Sequence, residues 1–126
     1  MTKNNYNGYR DIKAYQLSYK LSLELHVITK SFPQEEKYSL VDQIRRSSRS
    51  VPANVAEAWK KRKYQKMFIN RIIDASGEAG ETEVWLDFCK NFGYLDEAKY
   101  KKLIENYSEI NRMLGGMIDK ADKFCY

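Results

Sequence analysis

Phe32-Pro33-Gln34-Glu35-Glu36-Lys37-Tyr38-Ser39-Leu40-Val41-Asp42-Gln43-Ile44-Arg45-Arg46-Ser47-Ser48-Arg49-Ser50-Val51-Pro52-Ala53-Asn54-Val55-Ala56-Glu57 is the stretch whose reading decides the fold of this 126-residue chain. Leu40/Val41, Ile44, Ser47/Ser48, Val51, Val55 and, just beyond, Trp59 recur at steps of three and four, as on the buried face of a helix. Pro33 suits the first turn of that helix, where its missing N–H costs nothing. Pro52 falls in the middle. An interior proline removes one backbone hydrogen bond and crowds the carbonyl four residues back, which predicts a kink between Ser48 and Pro52. A break, with Ser50 capping a new helix, is the alternative. The apolar phase continues across the proline, and this favours the kink.

Three further stripes surround this one. Ala14, Leu17/Ser18, Leu21, Leu25, Ile28 and Phe32 precede it and end at Pro33, which drives the residue before it out of the helical region. Phe68, Ile72, Ala75, Ala79, Thr82, Leu86 and Cys89 follow it. The centre of this third stripe is small (Ala75, Ser76, Gly77, Ala79, Gly80), so a close approach by the Ser47–Ser48 region is expected. Gly93 reads as a C-terminal stop and Asp96 as an N-cap. Tyr100, Leu103/Ile104, Tyr107, Ile110, Leu114, Met117/Ile118, Ala121 and Phe124 form the fourth, which tolerates Gly115 and Gly116 at roughly 1 kcal/mol each relative to alanine. Helices are predicted over 12–31, 35–61, 65–92 and 96–124. Their short connections force antiparallel neighbours, so the expected fold is all-α: a single domain, 1–126, forming an up-down-up-down four-helix bundle.

Hydrophobic residues at 43% and charged residues at 31% suit an ordered chain. Six glycines and two prolines are too few for a turn-rich β fold. The start, Met1 to Gly8, lacks the apolar run of a signal peptide, and no stretch of about 18 apolar residues occurs. A cytoplasmic location without membrane association is expected. Cys89 and Cys125 make no Cys-x-x-Cys pair and read as reduced thiols. The net charge is +5, unevenly spread. Between Val41 and Lys66, eight bases face two acids, leaving +6; the remaining fourteen bases and fifteen acids leave −1. Such a concentration is an electrostatic address for a polyanion if the bases also cluster in space.

With the stripes placed, the chain resembles the small bacterial four-helix-bundle proteins encoded in intervening sequences of 23S rRNA genes. Tyr9-Arg10-Asp11-Ile12-Lys13 is similar to the family's opening. Phe32-Pro33, Glu36, Tyr38, Leu40, Gln43, Arg45-Arg46, Ser50-Val51 and Asn54-Val55-Ala56-Glu57 are similar to its central signature. Ala75-x-Gly77 with Glu81, then Phe92-Gly93-Tyr94-Leu95, are similar to its third-helix motif and exit. The chain departs from the pattern at Ala58 and Glu78, where glycine and serine are usual. The resemblance implies a ring-like homopentamer. It also implies a distant likeness to the accessory protein of diversity-generating retroelements, a basic pentamer associated with reverse transcriptase and nucleic acid, which makes a reverse transcriptase an implied protein partner.

The candidate nucleic-acid-binding residues are Arg45, Arg46, Arg49, Lys60, Lys61, Arg62, Lys63 and Lys66. Guanidinium groups pair bidentately with phosphate, and four consecutive bases at 60–63 exceed what a helix C-terminus needs. Tyr64 and Trp59 lie beside them as possible stacking surfaces. Internal pairing is the competing use; Arg46, for instance, lies one turn from Asp42. Glu78, Glu81, Glu83 and Asp87 are the candidate oligomer interface, an acidic face that would meet a basic one in a closing heterologous contact. Asn54 and Glu57 are assigned to packing around Pro52. No catalytic residues, metal site, cofactor or small-molecule substrate is expected: the one histidine, His26, lacks a Glu-x-x-His or nuclease-like arrangement, and no phosphate loop or zinc spacing occurs. The leading expectation is a non-enzymatic homo-oligomer that binds nucleic acid, RNA before DNA. A protein-interaction scaffold whose charged faces serve ring assembly is the alternative, and a metal-independent nuclease is a weaker third.

Overall fold

A computed structural model describes residues 6–126. The first five, read above as part of a polar start and counted into the single domain, lie outside the described residues. Four long helices alternate in direction: α1 (Lys13–Ile28), α2 (Leu40–Lys60), α3 (Gln65–Asn91) and α4 (Glu97–Asp119). A final short helix, α5 (Ala121–Phe124), follows. Both α1 and α3 pack on α2 and on α4, so α1 and α3 stand at opposite corners of the bundle. The predicted stripes form its core, with Ile44, Val51, Val55, Phe68, Ile72, Leu86, Tyr107, Ile110 and Leu114 wholly buried.

The most extensive helix pair is α2 with α3. Ser47, Ser48, Ala75, Ala79 and Thr82 are completely buried at its centre, as the small stripe predicts. Thr82 Oγ1 and Ser47 Oγ share a hydrogen bond at 2.8 Å, and Thr82 Oγ1 also lies 2.9 Å from the Glu78 carbonyl oxygen. These bonds satisfy polar groups that would otherwise be costly to bury. Gly77 and Gly80 do not take part. A Cβ on either would meet nothing within 4 Å, because both point away from the Ala75–Ala79 face.

Helix α2 is continuous through the buried Pro52; the alternative break at Ser50 does not occur. Asn54 Nδ2 donates to the Ser50 carbonyl at 2.8 Å, and Ser50 Oγ donates to the Arg46 carbonyl at 2.8 Å. Side-chain donors thus reinforce the turns on either side of the residue that has no N–H to give.

Helix boundaries differ from expectation at three places; α1, predicted to run to 31, ends at Ile28, and Thr29–Ser31 continue it as a 3₁₀ turn. The second helix, predicted from residue 35, starts only at Leu40, and Gln34–Glu36 form a separate 3₁₀ turn. The cause is Glu36. Its carboxylate accepts from Ser39 Oγ at 2.7 Å and from Tyr94 OH at 2.8 Å, and also from the Leu40 N–H. A negative charge thereby caps the N-terminus of α2. At the other end, Lys120 leaves the helical region (φ −112°, ψ 31°), which ends α4 before the expected 124. The turn sets Phe124 against the rings of Phe68 and Tyr6, each centroid 5.6 Å away. The remaining stops agree with the sequence. Gly93 takes φ +79°, with Tyr94 N–H bonded to the Cys89 carbonyl and Gly93 N–H to that of Lys90, a Schellman closure. Asp96 caps α4 through Lys99 N–H at 2.7 Å.

The bonds from Ser39 and Tyr94 hold the Glu36 carboxyl below its ordinary range, while the same bond pushes the Tyr94 hydroxyl up to about 12. A carboxylate with a depressed folded pKa stabilises fully above its unfolded pKa of about 4.3 and loses that contribution as pH falls through the folded value. Urea midpoints of Glu36→Gln are therefore expected to fall less steeply than those of wild type across this acid window. Identical pH dependence in the two proteins would remove Glu36 from this capping role.

Candidate nucleic-acid interface

The eight predicted bases do not form one free surface. Arg45 is half-buried: its Nε donates to Thr29 Oγ1 at 3.0 Å and its Nη2 to the His26 carbonyl at 3.1 Å. It ties α2 to the last carbonyls of α1, where a cation also complements the helix dipole. Arg46 reaches across to α3 rather than back to Asp42, with Glu81 at 3.1 Å and Glu78 at 3.7 Å. Arg49 donates to His26 Nδ1 at 3.1 Å. That contact requires an unprotonated Nδ1, and the neighbouring cations agree: Arg45 first, with burial, Lys30 and Arg49 adding, lowers the His26 pKa.

The 60–66 cluster divides in the same way. Lys61 pairs with Glu57 one turn back at 2.9 Å, and Glu57 also faces Arg71 at 3.9 Å. Glu57 thus acts structurally, as does Asn54. Arg62 is inserted between two rings, its guanidinium 3.8 Å from the Trp59 centroid and 4.8 Å from that of Tyr126, while Nη1 donates to the Trp59 carbonyl at 2.8 Å. It pins the last residue of the chain to the end of α2. Lys60, Lys63 and Lys66 are different. All three are exposed and make no ion pair among the described residues. Exposed Tyr64 follows Lys63 in the chain, with Lys63 Nζ 5.8 Å from its ring.

The four acids of α3 split between its flanks. Glu78 and Glu81 turn toward α2 and Arg46. Glu83 and Asp87 turn toward α4: Asn111 Nδ2 donates to Glu83 at 3.3 Å, and the Tyr100 hydroxyl donates to Asp87. Partial burial raises the Glu83 pKa. At 100° per residue, positions 78/81 and 83/87 lie on different sides of a helix. The uninterrupted run of acids in the sequence concealed this.

One grouping was missed. Tyr9, Tyr15 and Tyr19, with Ser22, Arg49, Pro52, Ala53 and Ala56, line a groove of about 300 Å³ between α1 and α2. It adjoins an open groove of about 540 Å³ bordered by Asp42, Arg45, Arg46, Arg49, Ser50 and Ala53. The Tyr15 and Tyr19 rings stack at 5.7 Å, and Tyr9 meets Tyr15 edge-on at 5.0 Å. The i,i+4 pair Tyr15–Tyr19 was the available signal; Tyr9 joins only through the turn before α1. The Cys89 thiol is buried and pushed up to about 12, mainly by that burial and secondarily by Glu36.

The model of the 23S rRNA-intervening sequence protein family matches residues 10–116, spanning α1, α2 and α3 and nearly all of α4. The chain belongs to that family. A crystal structure at 1.70 Å of a protein of unknown function, from the S23 ribosomal protein family of Bacteroides thetaiotaomicron VPI-5482, has a TM-score of 0.76. It is 29% identical, and the match covers 84% of this chain and 95% of that one. No curated protein matches. In this member of the 23S rRNA-intervening sequence family, the signature residues are largely structural. Glu36 and Tyr94 bond to each other, Phe32 packs on Tyr94 at 5.1 Å, and Arg45 closes the end of α1.

Two measurements separate structural from available bases. His26 is the only histidine, so its NMR titration is unambiguous. Its midpoint is expected below the usual value of about 6.5, rising toward that value in Arg45→Gln; no change on substitution would mean that Arg45 does not set it. Arg62→Ala is expected to destabilise by about 1–2 kcal/mol through lost cation–π and carbonyl contacts. Lys60→Ala and Lys63→Ala should stay within about 0.5 kcal/mol in the same urea titration.

Proposed function

We propose that this chain is a non-enzymatic, cytoplasmic homo-oligomer that binds nucleic acid at the α2–α3 end of each bundle. The observation that carries the reading is that Lys60, Lys63 and Lys66, near Tyr64 in the chain, are exposed bases of the 41–66 segment in no ion pair among the described residues. A strand of RNA laid there gains three phosphate partners and one ring for stacking. Repetition of the trio in an oligomer multiplies the effect without any new contact. The number five and the preference for RNA over DNA rest on the likeness to the 23S rRNA-intervening sequence proteins. Arg46 and Arg49, at the edge of the groove along α2, are secondary contacts, because each already has a partner. Among the described residues no helix is long and apolar enough to cross a membrane.

A second reading is a protein-interaction scaffold without nucleic-acid binding. It is favoured by the commitment of Arg45, Arg46, Arg49, Lys61 and Arg62 to partners inside the protomer. The acids Glu78, Glu81, Glu83 and Asp87 then serve an oligomer interface only as its rim, since each also has a partner within the chain.

Fluorescence anisotropy with a structured RNA and a matched DNA duplex, at two salt concentrations, distinguishes the readings. Wild type is expected to bind with steep salt dependence, RNA more tightly. Lys60→Ala/Lys63→Ala/Lys66→Ala, which breaks no ion pair among the described residues, should weaken binding and reduce the salt slope by about 1 for each phosphate contact removed. Absence of binding by wild type at low salt would leave the scaffold reading.

A further inference from the structure

We propose that the outer face of α3 docks on the outer face of α1 of a second copy of this chain, joining copies head to tail. The inference deepens the homo-oligomer reading and rests on it.

Helix α3 is apolar on two opposite sides. Its inner side places Phe68, Ile72, Ala75, Ala79, Thr82, Leu86 and Cys89 in the core. Its outer side carries Ile73, Gly77, Gly80, Val84 and Phe88 at steps of four, three, four and four. No charged side chain falls on that line. A contiguous exposed apolar strip rimmed by charge marks an interaction surface, and the protomer leaves Ile73 50% and Val84 48% exposed. The two glycines on the line cost about 1 kcal/mol each in a helix, and the protomer's own packing does not require them. A helix laid across them would approach closely.

The complementary surface is on α1, where Tyr19, Leu23 and Val27 follow one another at steps of four, Leu23 54% and Val27 64% exposed. The other two outer faces are ordinary solvent faces, with Arg46, Arg49 and Lys60 on α2 and Lys101, Glu105 and Arg112 on α4. Charge selects the pairing. The α1 patch is bordered by Lys20 and Lys30, exposed and without an ion pair among the described residues. The α3 line is bordered by Asp74, Glu81 and Asp87, with no base between Arg71 and Lys90. Pairing α3 with α3 opposes acids, and pairing α1 with α1 opposes lysines; α3 on α1 opposes unlike charges. Because α1 and α3 occupy opposite corners, the two patches of one copy face different neighbours. The contact is therefore heterologous and either closes into a ring or continues as a chain.

The test uses Val84→Arg and Leu23→Arg, each at a half-exposed position, with Ile73→Arg and Val27→Arg as second choices should circular dichroism show lost helix. Masses are measured by sedimentation velocity, alone and mixed. Each variant alone is expected to fall to the 14.9 kDa protomer. Mixed in equal amounts they should form a dimer, because one retains an intact α1 patch and the other an intact α3 patch. A Leu23→Arg protein that remains a dimer would establish α3-on-α3 pairing and overturn the proposal. So would two monomeric variants that stay monomeric when mixed, or variants that keep the wild-type mass. Monomeric wild type would instead refute the homo-oligomer reading itself, and this inference with it.

Discussion

The close approach of α2 and α3 is the constraint on which the rest of the molecule depends. Five small or short side chains, Ser47, Ser48, Ala75, Ala79 and Thr82, meet there fully buried, and the Thr82–Ser47 hydrogen bond fixes how the two helices are set along each other. Apolar burial alone is non-directional; a buried hydroxyl pair is not, because displacement by one turn would break the bond between the helices and leave each hydroxyl only a carbonyl of its own helix. The register so chosen places Arg46 opposite Glu78 and Glu81, and Glu57 near Arg71. Much of the charge that looks available in the sequence is therefore engaged between helices.

The same economy appears at the bundle ends. Glu36 caps α2 while accepting from Tyr94, Arg45 closes α1, and Arg62 lies between Trp59 and Tyr126. Each tie connects segments distant in sequence. Glu36, Arg45 and Tyr94 lie in the stretches that resemble the family's signature, and in this chain they close the bundle. Functional weight moves to Lys60, Lys63 and Lys66, which the 41–66 segment leaves exposed, and to two apolar faces at opposite corners.

The legible part of the fold was periodic or local. Steps of three and four identified all four helices, Gly93 and Asp96 marked a stop and a start, and the small centre of α3 pointed to Ser47–Ser48. Pro52 was ambiguous because kink and break share one sequence; bonds from Asn54 and Ser50 accompany a helix that stays continuous. The start of α2 was misplaced because its cap is a glutamate held by a tyrosine 58 residues away. Gly77 and Gly80 were assigned to the inner face for their size, although the helical period puts them outside.

The sequence by itself determined which residues are buried, the four helices and their alternating direction, because these follow from the period of apolar side chains and from connections too short for any other arrangement. It also determined the surplus of positive charge between Val41 and Lys66. Only the tertiary structure decided which of those charges are free. Pairing of a long flexible side chain depends on what stands across a helix interface within about 4 Å. That depends on register and rotation between helices, which side-chain packing sets and linear spacing does not encode.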